Sequence, residues 1–339
     1  MSRTRLLTVL AAFAALSLVL AACGGGGDKS GESPSAVLDE ATLEGVESGN
    51  IDLSLSLEAA GKEGGNIDLS LSGPFQGEGQ GGLPQLDMTV SAKGDYNGDD
   101  VNFEGGIVLL PNSAYVNYEG VEYEVDPTTF SFVEQTLKQA QREGGAETGS
   151  AGAAACQEEF GKLKVGEFLA DGANEGGADV DGTATTKVSG ELDVSAAIDS
   201  VLEVVESQAC RAQLAAAGPL PTDGEVESAK REVSSAVKAA KVDAYVGDDD
   251  IVRRVAVQLT IEPGDSAKQG PSKIDAGLDL KLTGVNEEQQ ISAPGNAQPL
   301  SKLFIKLGVN PIELLGLLQG EGGGEGLGEL LEGLGVPGA

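Results

Sequence analysis

The chain contains no histidine and no tryptophan, only 3 cysteines and 2 methionines, and aromatic residues make up just 4% of it. Without histidine there is no imidazole to act as a general base, to complete a catalytic triad or to finish a zinc site begun by the cysteines. With so few rings, any pocket would be aliphatic and suited to flexible chains rather than planar ligands. Basic residues are scarce as well: 22 Lys and Arg face 54 Asp and Glu, for a formal net charge of −32. Nucleic acid is excluded as a partner, because neutralising phosphates takes clustered Lys and Arg. An anionic membrane surface would repel such a chain too, and the acidic excess otherwise serves solubility. Long apolar runs are also missing, since none reaches the roughly 20 residues of a membrane-spanning helix.

What the chain has in place of such a run is a short one at its start. Arg3 and Arg5 precede an apolar stretch from Leu6 to Leu20, which closes on Leu20-Ala21-Ala22-Cys23 and runs into Gly24-Gly25-Gly26-Gly27. A basic start, a short apolar stretch and small residues before the cut make a secretory signal over residues 1–22. Its Leu-Ala-Ala-Cys end resembles the lipobox of bacterial lipoproteins, which implies a lipid-modified Cys23 as the first mature residue. Two or three acyl chains such as palmitate, at about 0.8 kcal/mol per buried methylene, hold a protein on a membrane almost permanently. The expected location is therefore extracytoplasmic, lipid-anchored to a cell membrane of the bacterial envelope. Residues 23–35 are rich in Gly and Ser and are expected to be a flexible tether of roughly 20 Å root-mean-square reach. Losing the two arginines takes the formal charge from −32 to −34.

With Cys23 assigned to lipid, Cys156 and Cys210 are left in an oxidising compartment, and a disulfide is the expectation, against two free thiols or a metal pair. Such a bond removes unfolded-chain entropy worth roughly 4 kcal/mol. Catalysis finds no support, and neither a metal nor a cofactor is expected. Asp179-x-Asp181-Gly182 and Asp95-x-Asn97-x-Asp99 open like calcium loops, but positions six and twelve are Ala184 and Gly190 in one and Asp100 and Gly106 in the other. Asp248-Asp249-Asp250 reads as a solvated turn.

The body of the chain alternates apolar and polar residues. Gly49-Asn50-Ile51-Asp52-Leu53-Ser54-Leu55-Ser56 recurs unchanged at Gly65-Asn66-Ile67-Asp68-Leu69-Ser70-Leu71-Ser72, and period two makes both copies half-buried strands of one hairpin. A third strand carries Leu86, Met88 and Val90, and Asn97-Gly98 marks a tight turn. Short strands at Val101 and Phe103, at Ile107 and Leu109, at 115–118 and at 121–125 follow, with Gly105-Gly106 expected to break the first two apart. Asp126-Pro127 starts a helix bearing Phe130, Val133, Leu137 and Ala140. A Gly/Ala/Ser connection over 144–155 leads to a weakly helical stretch from Cys156 to Leu169, broken by Gly172 to Gly177. One threonine-rich strand spans 179–193. Helices follow with Ile198, Leu202 and Val205, then over 223–240 with Val226, Val233 and Val237. Three strands close the domain, through Val242, Val255 and Leu278.

This order predicts an α+β domain over residues 36–300, a curved antiparallel sheet with one apolar face packed over about three helices. Residues 301–339 form a Gly- and Leu-rich tail whose start, Leu300 to Leu307, makes one amphipathic turn expected to dock on the domain.

Several of these pieces carry a resemblance. Asp181-Gly182-Thr183 through Thr186 and Gly190-Glu191-Leu192-Asp193 resemble a signature of LppX/LprG-type envelope lipoproteins, whose fold is similar to the LolA/LolB half-barrel. Ala114-Tyr115-Val116 with Tyr123, Asp243-Ala244-Tyr245-Val246-Gly247-Asp248 with Arg253-Arg254, and Ile291-Ser292-Ala293-Pro294 fit in order. The histidine common after the threonine of the signature is replaced by Lys187-Val188. The resemblance implies a hydrophobic cavity between sheet and helices for acyl chains of a lipid or glycolipid moved through the envelope. Its lining would be Leu53, Leu55, Phe103, Ile107, Leu109, Val121, Tyr123, Phe130, Val133, Leu137, Ile198 and Leu202. On the residues alone, the same side chains equally fill a closed core, which would leave a structural or partner-binding surface lipoprotein without ligand. A transporter or other envelope protein as partner is left open by both readings. Replacing Cys23 with Ala is expected to release the protein into the medium, as read by fractionating cells; retention in the membrane fraction would contradict the anchor.

Overall fold

Strict alternation over 10 to 14 residues gives strands one oily and one wet side, and such strands find hydrogen-bond partners only in each other. The computed structural model describes residues 29, 31–61, 64–77, 82–96, 98–132, 134–135, 156, 159, 163–208, 210–211, 223–263 and 270–308. The strands in chain order are β1 (Ser48–Gly61), β2 (Gly65–Gln76), β3 (Gln85–Tyr96), β4 (Asp99–Leu110), β5 (Ser113–Tyr118), β6 (Val121–Glu124), β7 (Leu169–Val180), β8 (Thr183–Leu192), β9 (Val237–Gly247), β10 (Val252–Ile261), β11 (Pro271–Thr283) and β12 (Gln298–Pro299). They form one 12-stranded sheet in the order β12-β6-β5-β4-β3-β2-β1-β11-β10-β9-β8-β7. The sheet is open and curved. Every pairing is antiparallel except the two-residue join of β12 to β6.

The two copies of the eight-residue repeat pair with each other across β1 and β2, with Leu53 opposite Leu71 and Leu55 opposite Leu69. β1 also pairs with β11, so the first strand and the last long one close the middle of the sheet. Glycine permits close approach at two points. A Cβ on Gly73 (φ +147°) would lie 1.9 Å from the Asp87 carbonyl oxygen, and one on Gly94 (φ +146°) 2.0 Å from that of Asn66.

Helices α1 (Pro34–Glu40), α2 (Val194–Glu206), α3 (Asp223–Ala236) and α4 (Leu300–Leu307) are short, and a 3-10 turn spans Val165–Phe168. The Ser33 hydroxyl accepts from the Ala36 amide at 3.2 Å and the Asp193 carboxylate from that of Ala196 at 3.0 Å, the side-chain caps expected at these starts. A helical segment opens at Pro127, with Asp126 accepting from the amides of Thr128 and Thr129, both at 3.1 Å.

Several elements differ from what the pattern predicts. Gly105-Gly106 does not divide β4, which runs unbroken because the Phe103 ring lies over Gly105, 2.8 Å from where its Cβ would be. Leu169 to Val180 is a strand and not the end of a weak helix; it tolerates its glycines because it is an edge strand with irregular register at Ala170/Ala173 and Asn174/Gly176. The single strand over 179–193 is therefore half of a hairpin turned at Asp181-Gly182, both at positive φ. The 223–240 helix stops at Ala236, and Val237 already belongs to β9. Tertiary pairing with β10 decides that boundary over the helical spacing of Val233 and Val237. Residues 31–35 and Lys29, assigned from sequence to the tether, are held against the domain: Lys29 is 1% exposed and α1 already begins at Pro34.

Three buried clusters sit under the sheet. Val37 and Leu38 of α1, with Ala41 just after it, pack on Val188, Ala244, Val246 and Val252. Phe130 packs with Leu83 and Leu109, and Leu300 and Leu303 of α4 pack on Tyr123. Leu38→Ala is expected to lower unfolding free energy by about 2 to 5 kcal/mol in urea titration, the cost of a cavity under α1; a loss below about 1 kcal/mol would show that α1 is dispensable to the fold.

Candidate functional site

Cross-strand register builds the site. One row runs Gly105, Val90, Leu71, Leu53, Leu280, Val255, Ala244 and Val188 across eight neighbouring strands. The next runs Phe103, Ala92, Leu69, Leu55, Leu278, Val257 and Val242. Because directly paired residues project to the same side, these rows make one continuous apolar face.

The covers lie at its flanks. α1 closes it over β8, β9 and β10, and Phe130 and α4 close it over β4, β5 and β6. Between them the face is open: Leu57 is 38% exposed, Leu69 41%, Val90 39% and Ile107 53%. All four project to the apolar side, from β1, β2, β3 and β4, and Leu53, Leu55, Leu71, Leu278 and Leu280 beside them are only half-buried. These exposed aliphatic side chains share one face of the sheet instead of being scattered singly over the surface. Among the described residues the apolar side is thus an open face, neither an enclosed cavity nor a filled core.

The residues read from sequence divide accordingly. Leu53, Leu55, Phe103 and Ile107 lie on the open stretch, with the Phe103 ring 6.2 Å from that of Tyr118. Leu109, Tyr123 and Phe130 are buried in the flanking clusters, and half-buried Val121 packs against the α4 cluster. Ile198 and Leu202 are half-buried on α2, whose partners are α3 and the 3-10 turn. Cys23, Val133 and Leu137 lie outside the described residues. Cys156 and Cys210 are joined in a disulfide, and Cys210 is fully buried. Leu57, Leu69 and Val90 belong to the face and were not among the expected lining residues, although the same period-two pattern carries them.

The opposite side is polar and ionic over β1–β3 and β8–β11, while at β4 and β5 Val108 and Tyr115 are buried on it. Ser54, Ser56, Asp68, Ser70, Ser91 and Lys93, together with Leu55 and Leu69, line a shallow hollow of about 190 Å³, below the 300 Å³ or so of small-molecule pockets. Further along, Lys187 bonds Glu175 at 3.0 Å, and both Lys187 and Arg254 lie over the Tyr245 ring, at 5.9 and 5.5 Å. Hydrogen bonds from Ser189 and Lys187 hold the Glu175 carboxyl below its ordinary range, and the bond to Glu175 raises Lys187. These pairs are solvent-exposed and each contributes little to stability. Asp179 accepts from the Gly182 amide at 2.9 Å, which makes Asp179-x-Asp181-Gly182 a hairpin turn. Among the described residues no three acidic or thiol groups are placed to hold a metal, and no helix is long and apolar enough to cross a membrane. The turn at Asp248-Asp249-Asp250 is only partly solvated, because Asp250 is 2% exposed and pairs with Lys29.

No family model matches the chain, and no curated protein does. Among solved structures it matches LprF from Mycobacterium bovis at 13% identity and TM-score 0.33, over 80% of this chain and 100% of that one. It matches the Mycobacterium tuberculosis lipoprotein LppX at 10% identity and TM-score 0.29, over 76% and 98%. A DUF1329 family protein from Desulfovibrio piger matches at 10% identity and TM-score 0.17, over 79% and 96%.

Leu69→Thr, Val90→Thr and Ile107→Thr keep β-branching or β-compatible shape while removing exposed hydrocarbon. Each is expected to shift unfolding free energy by no more than about 0.5 kcal/mol in urea titration, as surface changes do. A loss of 2 kcal/mol or more would mean that the face is covered in solution.

Proposed function

We propose that this protein is a lipid-anchored envelope lipoprotein that binds the acyl chains of a lipid or glycolipid along its open apolar face. The observation that carries the reading is the exposure of Leu57, Leu69, Val90 and Ile107 on one side of the sheet, in register with half-buried leucines on β1, β2 and β11. Hydrocarbon laid there gains about 0.8 kcal/mol per buried methylene. Ten methylenes contribute roughly 8 kcal/mol, comparable to the 4 to 15 kcal/mol that association costs. Long chains therefore bind and short amphiphiles do not. A face of aliphatic side chains without directional polar groups recognises length and flexibility, so the headgroup is free to stay in water. That is what a carrier requires, since the cargo has to leave again.

No histidine exists to act as a base, and binding rather than turnover is the activity assigned. The domain of residues 36–300 carries the site, and the anchor at Cys23 keeps it beside the membrane that supplies the lipid. Protein isolated from its own envelope is expected to yield extractable lipid seen by mass spectrometry. A photoreactive long-chain fatty acid should crosslink to peptides of β1–β4. The Leu69→Thr/Val90→Thr/Ile107→Thr triple variant, folded by circular dichroism, should lose most of both signals. Lipid-free protein, or undiminished labelling of the variant, would remove the carrier and leave a surface lipoprotein that binds a protein partner.

A further inference from the structure

Lys29 is 1% exposed, although it stands only six residues after Cys23 in an acidic, glycine-rich chain. Its ammonium pairs with the Asp250 carboxylate, itself 2% exposed, and lies 3.4 Å from that of Glu40 on α1. Its carbonyl accepts from the Asn174 side chain at 2.8 Å and from the Glu32 amide at 3.0 Å, and Asn174 also donates to the Glu32 carbonyl at 3.0 Å. Asp250 is in turn held rigidly in the β9–β10 turn. Its φ is +63°, its amide donates to the Gly247 carbonyl at 3.0 Å, and its carbonyl accepts from the Thr42 amide at 2.9 Å. Two opposite charges taken out of water this completely persist only in fixed geometry, because removing either partner strands the other. The residue thus has a latch on both its side chain and its backbone.

We propose that Lys29 is the fixed end of the membrane tether, so that the strand-end rim carrying the β9–β10 turn is mounted toward the leaflet. The inference rests on the anchor at Cys23 and adds an interaction surface, with a lipid bilayer as its partner. Six Cα steps span at most about 21 Å fully extended, and a glycine-rich chain of that length averages roughly 14 Å. The strands from this rim to the opposite one, where β3 turns into β4, are 10 to 14 residues long, about 33 to 46 Å. The tether is therefore shorter than the domain, so it keeps the mounted rim within about 21 Å of the leaflet and places no such bound on the far rim. The first strand of the open face starts at Ser48 on the mounted rim, which gives hydrocarbon leaving the leaflet a short path onto it.

The test uses the full lipidated chain in phosphatidylcholine–phosphatidylglycerol vesicles. A single cysteine is labelled either at Asp248→Cys on the mounted rim or at Asp100→Cys on the far one, with Cys156 and Cys210 already joined. Energy transfer to a headgroup acceptor is expected to be greater from 248 than from 100. A 20-residue Gly-Ser insertion after Gly27 leaves the Lys29–Asp250 pair in place and should abolish the difference, whereas the same insertion after Ser30 should not. Adding Lys29→Met to the second insertion should then abolish it. Equal transfer from both rims in the parent chain, or equal effects of the two insertions, would overturn the mounting. Failure of the parent chain to float with vesicles would instead remove the anchor itself, a separate and distinguishable result.

Discussion

The molecule is governed by a mismatch between sheet and cover. Eight strands in register put apolar residues on one side over seven strand spacings, about 34 Å. α1 has 7 residues and α4 has 8, so each is only about 10 to 12 Å long. These two helices cover the flanks of the face, and among the described residues Leu57, Leu69, Val90 and Ile107 between them stay exposed.

Buried and exposed apolar residues consequently occupy different parts of one surface. Val37, Val188, Val246 and Val252 are at most 1% exposed beneath α1, where packing holds the fold. The leucines of β1 and β2 lie on the same side of the same sheet, yet they keep contact with water. A chain that buried them would gain folding energy. The wet side does the complementary work, with serines, carboxylates and paired cations keeping a highly acidic sheet soluble and in register.

Much of this was legible residue by residue. Alternation at 49–57 and 65–72 placed the first hairpin, and Leu53, Leu55, Phe103 and Ile107 were recognisable as one apolar side. Glycine misled wherever neighbours had to be known. Gly105 looks like a break until the Phe103 ring is seen to lie over it, and Gly172 to Gly177 look like a linker until β8 pairs with them. Val237 suits a helix by spacing and a strand by partnership, and the ladder to β10 prevails. The burial of Lys29 left no local signal, since its partner Asp250 is 221 residues away.

By itself the sequence determined the sheet, the two-sided character of its strands and the absence of imidazole chemistry, because these depend on composition and on period along the chain. Only the tertiary structure decided which stretches of the apolar side are covered, that Lys29 is buried and which acidic residue of the 248–250 turn pairs with it. Those outcomes depend on where short helices and distant charges come to rest. That position is fixed by strand order and register, which no local pattern encodes.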